Sequence, residues 1–244
     1  MKQKRAYKYR IYPTDEQKHN FACTFGCVRF VYNWALRQRT DAYFQRGERW
    51  YYAHMSNALT AIKKQDEYAW LNEVSSVPTQ QALRHLDKGM LNFFEGRAKY
   101  PTRKKKSHEQ SAEYTTSAFK WDKGTLTLAK QKDPLNMVWS RPLPKDAKPT
   151  TVTVTKDGAN RYFVSLLVEE DIQPLPVLNK MIGLDLGMKS MVITSDGQTY
   201  GNPKFFAQDE KKIAQAERRK ARKKKGSKNR HKARLKVARD PHPF

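Results

Sequence analysis

The spacing of apolar positions changes period twice along this chain. In KRAYKYRIYPT, Tyr7, Tyr9 and Ile11 alternate with Lys8, Arg10 and Tyr12 before Pro13, and that period of two predicts one short strand stopped by the proline. From Thr14 the period lengthens. Thr14, the acids Asp15 and Glu16, and Gln17 three residues on form a capping signal, after which Phe21, Phe25, Val28, Val31, Tyr32 and Leu36 share one helical face. Arg29, Arg37 and Arg39 lie largely off that face. Helical spacing returns with Met55, Leu59 and Ile62 in AHMSNALTAIKKQDEYAWL, and again in PTQQALRHLDKGMLNFFEGR, where Pro78 suits a first turn. Residues 14–98 therefore read as mostly helical. Trp34, Trp50, Trp70, Phe93 and Phe94 fall on or near the apolar faces and are expected in the core rather than as base-stacking platforms.

The Lys/Arg-rich stretch AKYPTRKKKSHEQSAEY then marks a loop or boundary, because its composition cannot bury a core. Beyond it the period is two again. SAFKWDKGTLTLA predicts a hairpin around Asp122-Lys123-Gly124, NMVWS a short strand, and TTVTVTKDGANRYFVSLLVEE two strands joined at Asp157-Gly158. These strands and the first one are expected to close a small barrel. Pro174 and Pro176 punctuate a linker. In IGLDLG, Ile182, Leu184 and Leu186 take one face of a strand and Gly183, Asp185 and Gly187 the other, the glycines leaving room around the carboxylate. Met191–Thr194 predicts the returning strand, turned at Ser195-Asp196-Gly197.

Charge sharpens the picture. The 244 residues hold 48 Lys plus Arg against 24 Asp plus Glu, a formal net charge of +24, which repels itself unless a polyanion neutralises it. Residues 204–239 alone carry 16 Lys and Arg against three acids, in two helix-favouring stretches broken at Gly226-Ser227. Nucleic acid is the expected partner, and the alternatives are a non-catalytic nucleic-acid-binding regulator or a basic protein that merely settles on RNA phosphates. Phosphate contact is expected at Lys104, Lys105 and Lys106 and at Arg218, Arg219, Lys220, Arg222, Lys223, Lys224 and Lys225, with Arg29, Arg37 and Arg39 as further candidates. No apolar run is long enough to span a bilayer, so no membrane partner is expected. Cys23 and Cys27, four apart on one predicted helix, read as core thiols and not as a disulfide or half of a zinc site.

Asp185 is the chemically suggestive residue. A carboxylate in a buried strand costs on the order of several kcal/mol without a cation, and a divalent metal is the natural one. Ribonuclease H-like nucleases present such an aspartate on their first strand, actin-like ATPases open with a similar D-x-G hairpin, and a plain turn aspartate also fits. A tyrosine-nucleophile transposase would need a His-hydrophobe-His pair, which the six histidines do not supply.

Taken in order, YKYRIYPTDEQ, FGCVRFVYNWAL, FFEGRAKYPTRKKK, IGLDLGMKSMVITSDG and ERRKARKKKGSKNRHKARLKVAR closely resemble the TnpB (OrfB) family. These are transposon-encoded, RNA-guided DNA endonucleases related to type V CRISPR effectors and long described as transposases. The resemblance implies an α+β multidomain chain. Residues 1–12 and 115–172 would form a wedge β-barrel, 13–114 an inserted helical recognition domain of helix-turn-helix type, 178–206 the start of an RNase H-like (RuvC) nuclease domain, and 207–239 a basic helical tract. It further implies that Asp185 is a catalytic Mg²⁺ or Mn²⁺ ligand. The implied partners are a transposon-derived guide RNA and double- and single-stranded DNA, in a prokaryotic, nucleoid-associated, cytoplasmic setting. Family members add a Glu, a second Asp and a four-cysteine zinc module. After Asp185 this sequence offers only Asp196, Asp209, Glu210, Glu217 and Asp240, none on an apolar strand. The expectation is a C-terminally truncated copy with an incomplete metal site, no zinc module, a poorly protected nuclease hairpin and no cleavage on its own.

Overall fold

A computed structural model describes residues 2–144, 147–173 and 181–239; the linker prolines Pro174 and Pro176, and Asp240 with the last prolines, lie outside the described residues. The chain forms two compact units, Met1–Ile172 and Gln173–Phe244.

In the first unit, β1 (Lys2–Ile11) leads into α1 (Asp15–Arg46), α2 (Tyr52–Ile62), a 3₁₀ turn (Asp66–Asn72) and α3 (Ser76–Phe94). Then come β2 (Gln110–Thr115), β3 (Phe119–Asp122), β4 (Thr125–Leu128), β5 (Met137–Val138), β6 (Thr151–Lys156) and β7 (Tyr162–Asp171). The capping box forms as predicted: Gln17 N–H donates to Thr14 Oγ1 at 3.2 Å, and Thr14 N–H to Gln17 Oε1 at 3.1 Å. The helix that follows runs unbroken for 32 residues until Gly47 takes the left-handed conformation (φ 68°). Every residue of its predicted apolar face is buried, against Tyr9, Ile11, Val154, Tyr162, Val164 and Leu166 of the sheet among others. Pro78 occupies the first turn of α3, as expected.

The strands form an antiparallel sheet in the order β2-β6-β7-β1-β5, with β3–β4 as a separate hairpin. That order corrects the barrel expectation. Among the described residues β2 pairs only with β6, β5 is two residues long, and β3–β4 pairs only within itself, so no strand bridges the two edges. The β3–β4 turn places Lys123 and Gly124 at φ 44° and 88°, the double left-handed geometry a two-residue hairpin loop needs. At the β6–β7 turn the left-handed residue is Asn160 (φ 60°) and not Gly158. There the Asp157 carboxylate accepts the N–H groups of Ala159 and Arg161 and the Arg161 Nε at 2.7–2.9 Å.

Aromatic burial departs from expectation. Trp34 and Trp50 pack at the core margin, but Trp70, Phe93 and Phe94 are exposed, Phe94 by 67%. Phe93 and Phe94 end α3, where their rings meet each other and Phe93 meets Tyr100. Cys27 is buried in the core, which pushes its thiol up to about 11; Cys23 is half-buried and no disulfide joins them.

The second unit holds β8 (Leu184–Asp185), β9 (Ser190–Thr194) and β10 (Thr199–Gly201) in the order β10-β9-β8, then α4 (Phe205–Ala221) and α5 (Lys228–Arg239). β8 was expected to be buried. Both its residues are exposed, as are Ile182, Leu186 and Met188: among the described residues nothing covers these side chains of a sheet of three short strands. Between the helices Gly226 turns the chain (φ 82°) and Ser227 Oγ accepts the Arg230 N–H at 3.1 Å, starting α5.

Candidate nucleic-acid interface and the Asp185 hairpin

Asp185 stands opposite Ile193 in the β8–β9 pairing. The strand entry is pinned by Ser195, whose Oγ accepts the Gly183 N–H at 2.9 Å and whose N–H donates to the Gly183 carbonyl at 2.8 Å. The flanking glycines serve this hairpin, not the carboxylate. A Cβ on Gly183 would lie 3.3 Å from Ser195 Cβ, and one on Gly187 3.1 Å from the Ser190 carbonyl oxygen. Asp196 takes the Thr194 hydroxyl, Asp209 pairs with Lys212 at 3.3 Å, and Glu217 with Lys220 at 3.4 Å. Among the described residues no three of His, Cys, Asp or Glu converge on one point. A divalent ion needs several oxygen ligands, so the donor set described here does not by itself fit the Mg²⁺ or Mn²⁺ centre that the family implies.

The basic candidates divide sharply by environment. Arg39 is turned inward, 9% exposed, with Nη1 2.7 Å from Asp87 Oδ1, so its charge is paired with α3. Arg29 Nη1 donates to Gln110 Oε1 at 2.9 Å, tying α1 to β2. Arg37 is 78% exposed and only loosely paired with Asp41 at 3.5 Å. Lys104 lies 4.5 Å from the Tyr32 ring centroid, and burial lowers its pKa. Asn33 holds the Lys104 backbone from both sides, its Nδ2 donating to the carbonyl at 2.9 Å and its Oδ1 accepting the N–H at 2.8 Å. Lys105 and Lys106 therefore project to solvent from a fixed anchor.

In the second unit Arg218, Arg219, Arg222 and Lys223–Lys225 are exposed, while Lys220 is partly covered beside Glu217. Arg230 plays a different part. Its Nη1 donates to the Lys223 carbonyl at 2.7 Å and lies 3.4 and 3.5 Å from those of Lys220 and Ala221, satisfying the carbonyls that end α4. Sequence reading passed over Asn33 and Arg230. For Arg230 a signal existed, an arginine three residues after the serine that follows a glycine break; Asn33 had none, since its partner lies 71 residues away.

Residues 1–48 match a family model described as a helix-turn-helix domain of the OrfB/IS605 type, and residues 163–240 one described as a probable transposase of the same type. Over 237 residues, 97% of the chain, the sequence is 54% identical to a Streptomyces pristinaespiralis protein named as an RNA-guided DNA endonuclease.

The chain belongs to the TnpB (OrfB) family.

It spans 59% of the length of that TnpB relative, and also 59% of InsQ of Escherichia coli (strain K12), named likewise, with which it is 27% identical over 240 residues. A solved chain in a Cas12f1–guide RNA–target DNA complex superposes with a TM-score of 0.38 at 11% identity, covering 96% of this chain and 64% of that one. The helix-turn-helix description matched by residues 1–48 corresponds here to a strand and one unbroken helix.

Proposed function

We propose that this chain is the nucleic-acid-binding portion of a TnpB-type RNA-guided DNA endonuclease, taking a transposon-derived guide RNA and DNA in duplex and single-stranded form. The observation that carries the reading is 54% identity across 97% of the chain to a relative of that name. The exposed cations support it, because Lys105, Lys106 and the Arg218–Lys225 run lie on the surface with few acids to neutralise them. In this reading residues 13–114 act as the recognition domain, 1–12 with 115–172 as the wedge, and the hairpin from residue 181 onward belongs to a RuvC-like unit. Asp185 would ligate Mg²⁺ or Mn²⁺ only together with carboxylates from polypeptide beyond the described residues. Cleavage is therefore not expected from the described acids alone.

The test is co-expression with the transposon end that encodes the chain, followed by sequencing of the RNA that copurifies. One discrete species mapping to that end is expected. RNA distributed by cellular abundance would replace guide binding with generic phosphate binding, and plasmid cutting in Mg²⁺ that disappears on Asp185→Ala would overturn the proposed lack of cleavage.

A further inference from the structure

A cavity of about 350 Å³ lies where the end of α2, the 3₁₀ turn and the start of α3 meet, a volume that suits a small molecule and not a folded partner. Helical spacing dictates much of its lining. Met55 and Leu59 take the buried side of α2, and Ser56, Thr60, Lys63 and Lys64, three or four residues apart along the next ridge, border the cavity. Ser76 and Gln80, one turn apart on α3, border it as well. Asn72 fixes the end of α2, its Nδ2 donating to the Lys63 carbonyl at 3.0 Å. The Thr60 and Thr79 hydroxyls are spent on the Ser56 and Ser76 carbonyls, at 3.0 and 2.7 Å. Among the described residues no hydrogen bond engages the Ser56 or Ser76 hydroxyl or the Gln80 amide, and no carboxylate stands at ion-pair distance from Lys63 or Lys64.

The two lysines differ in environment. Lys64 is exposed and keeps an ordinary ammonium, whereas Lys63 is half-buried. Burial lowers the Lys63 pKa, an effect that the Cys27 thiol in the core only partly offsets. Among the described lysines burial also lowers Lys104, but the Tyr32 ring 4.5 Å from its ammonium favours the charged form there. A desolvated amine is a weaker cation and a better nucleophile. A passive anion would gain from Lys64 and the free hydroxyls and make no use of Lys63. A small molecule that joins a phosphate to an electrophilic carbon uses all of them.

We propose that this cavity is a lysine-acylation site: it takes a small acyl phosphate, the Lys64 ammonium and the Ser56 and Ser76 hydroxyls hold the phosphate oxygens, and the acyl group passes to Lys63 Nζ. The Nζ lone pair adds to the carbonyl carbon, the bond from that carbon to the phosphate oxygen breaks, and phosphate leaves with the electron pair and takes the proton that nitrogen sheds. The acyl phosphate is the sole co-reactant. The product is a neutral amide where a half-buried charge stood, so the fold loses a desolvation cost as the bond forms. The inference is independent of the nucleic-acid reading above.

The test incubates the intact chain with acetyl phosphate at constant ionic strength and reads the acetylated fraction at each lysine over time by peptide mass spectrometry. Lys63 is expected to react about 5- to 20-fold faster than the exposed Lys105 and Lys106, and faster than Lys104. Inorganic phosphate should slow Lys63 about 3-fold or more while moving Lys105 and Lys106 by less than about 2-fold, because it competes for the same donors. Lys64→Gln with Ser76→Ala should bring Lys63 to within about 2-fold of Lys105 and Lys106. N-hydroxysuccinimidyl acetate carries no phosphate, and with it the lead of Lys63 should shrink. A Lys63 rate at or below that of the exposed lysines with acetyl phosphate overturns the proposal. An equal lead with both reagents that inorganic phosphate leaves unmoved also overturns it, because the free amine alone would then account for the reaction. Should the double variant unfold by circular dichroism, the phosphate competition and the two-reagent comparison on the wild-type chain decide.

Discussion

His85 and Glu113 show how one side-chain pair links α3 to the sheet. His85 Nε2 lies 2.9 Å from Glu113 Oε2, and donation to the carboxylate, more than charge, lowers the Glu113 pKa against the opposing effect of burial. A carboxylate depressed in the fold contributes stability above its unfolded pKa, and that contribution is lost as pH falls through the folded value. Wild type is therefore expected to exceed His85→Leu in urea midpoint near pH 5.5, with the gap closing as pH drops below about 4. A gap that stays constant down to pH 3 would show that the pair adds no proton-linked stability. Thr14 offers a simpler case: Thr14→Ala should cost about 1 kcal/mol, read as a lower thermal midpoint, because the Gln17 N–H in the first turn of α1 loses its acceptor.

Among elements, those specified by near neighbours were legible and those specified by distant ones were not. The cap at Thr14, the ridge along α1, Pro78 in its first turn and the Lys123-Gly124 hairpin follow from residues within one or two turns of each other, and all stand where the spacing put them. Arg39 pairs with Asp87, 48 residues on, a partner that the local pattern could not announce. Phe94 failed as a core residue because it is the last residue of α3 and stands exposed there, which periodicity within the helix cannot reveal. The basic side of β1 could be read from its alternation, but not that Phe163 would lie across from Arg10. Asp185 was legible as a residue and misread as buried, since burial depends on a second layer. Arg230 ends α4 in the same nonlocal manner, and Arg230→Ala is expected to raise hydrogen exchange at amides 222–226 and to lower helicity. Arg230→Lys should restore only part, because one ammonium cannot reach three carbonyls as the planar fork does.

At the scale of the whole molecule, a net charge of +24 makes solvent ions part of the stability balance. Self-repulsion among exposed Lys and Arg is screened within about 10 Å at 0.1 M salt. The thermal midpoint is therefore expected to rise between 50 and 500 mM NaCl, and to rise further at equal ionic strength when a polyphosphate is added. A midpoint indifferent to both would mean that the charges are already neutralised within the chain. The placement of β1 has a temporal consequence as well. It sits between β5 and β7, so its longest partner leaves the ribosome roughly 150 residues later, about ten to thirty seconds at typical elongation speeds. During translation the opening segment must wait, cationic and unpaired, while the helices behind it form, and synonymous codons that slow synthesis before residue 162 would lengthen its exposure to holdase chaperones and to stray RNA.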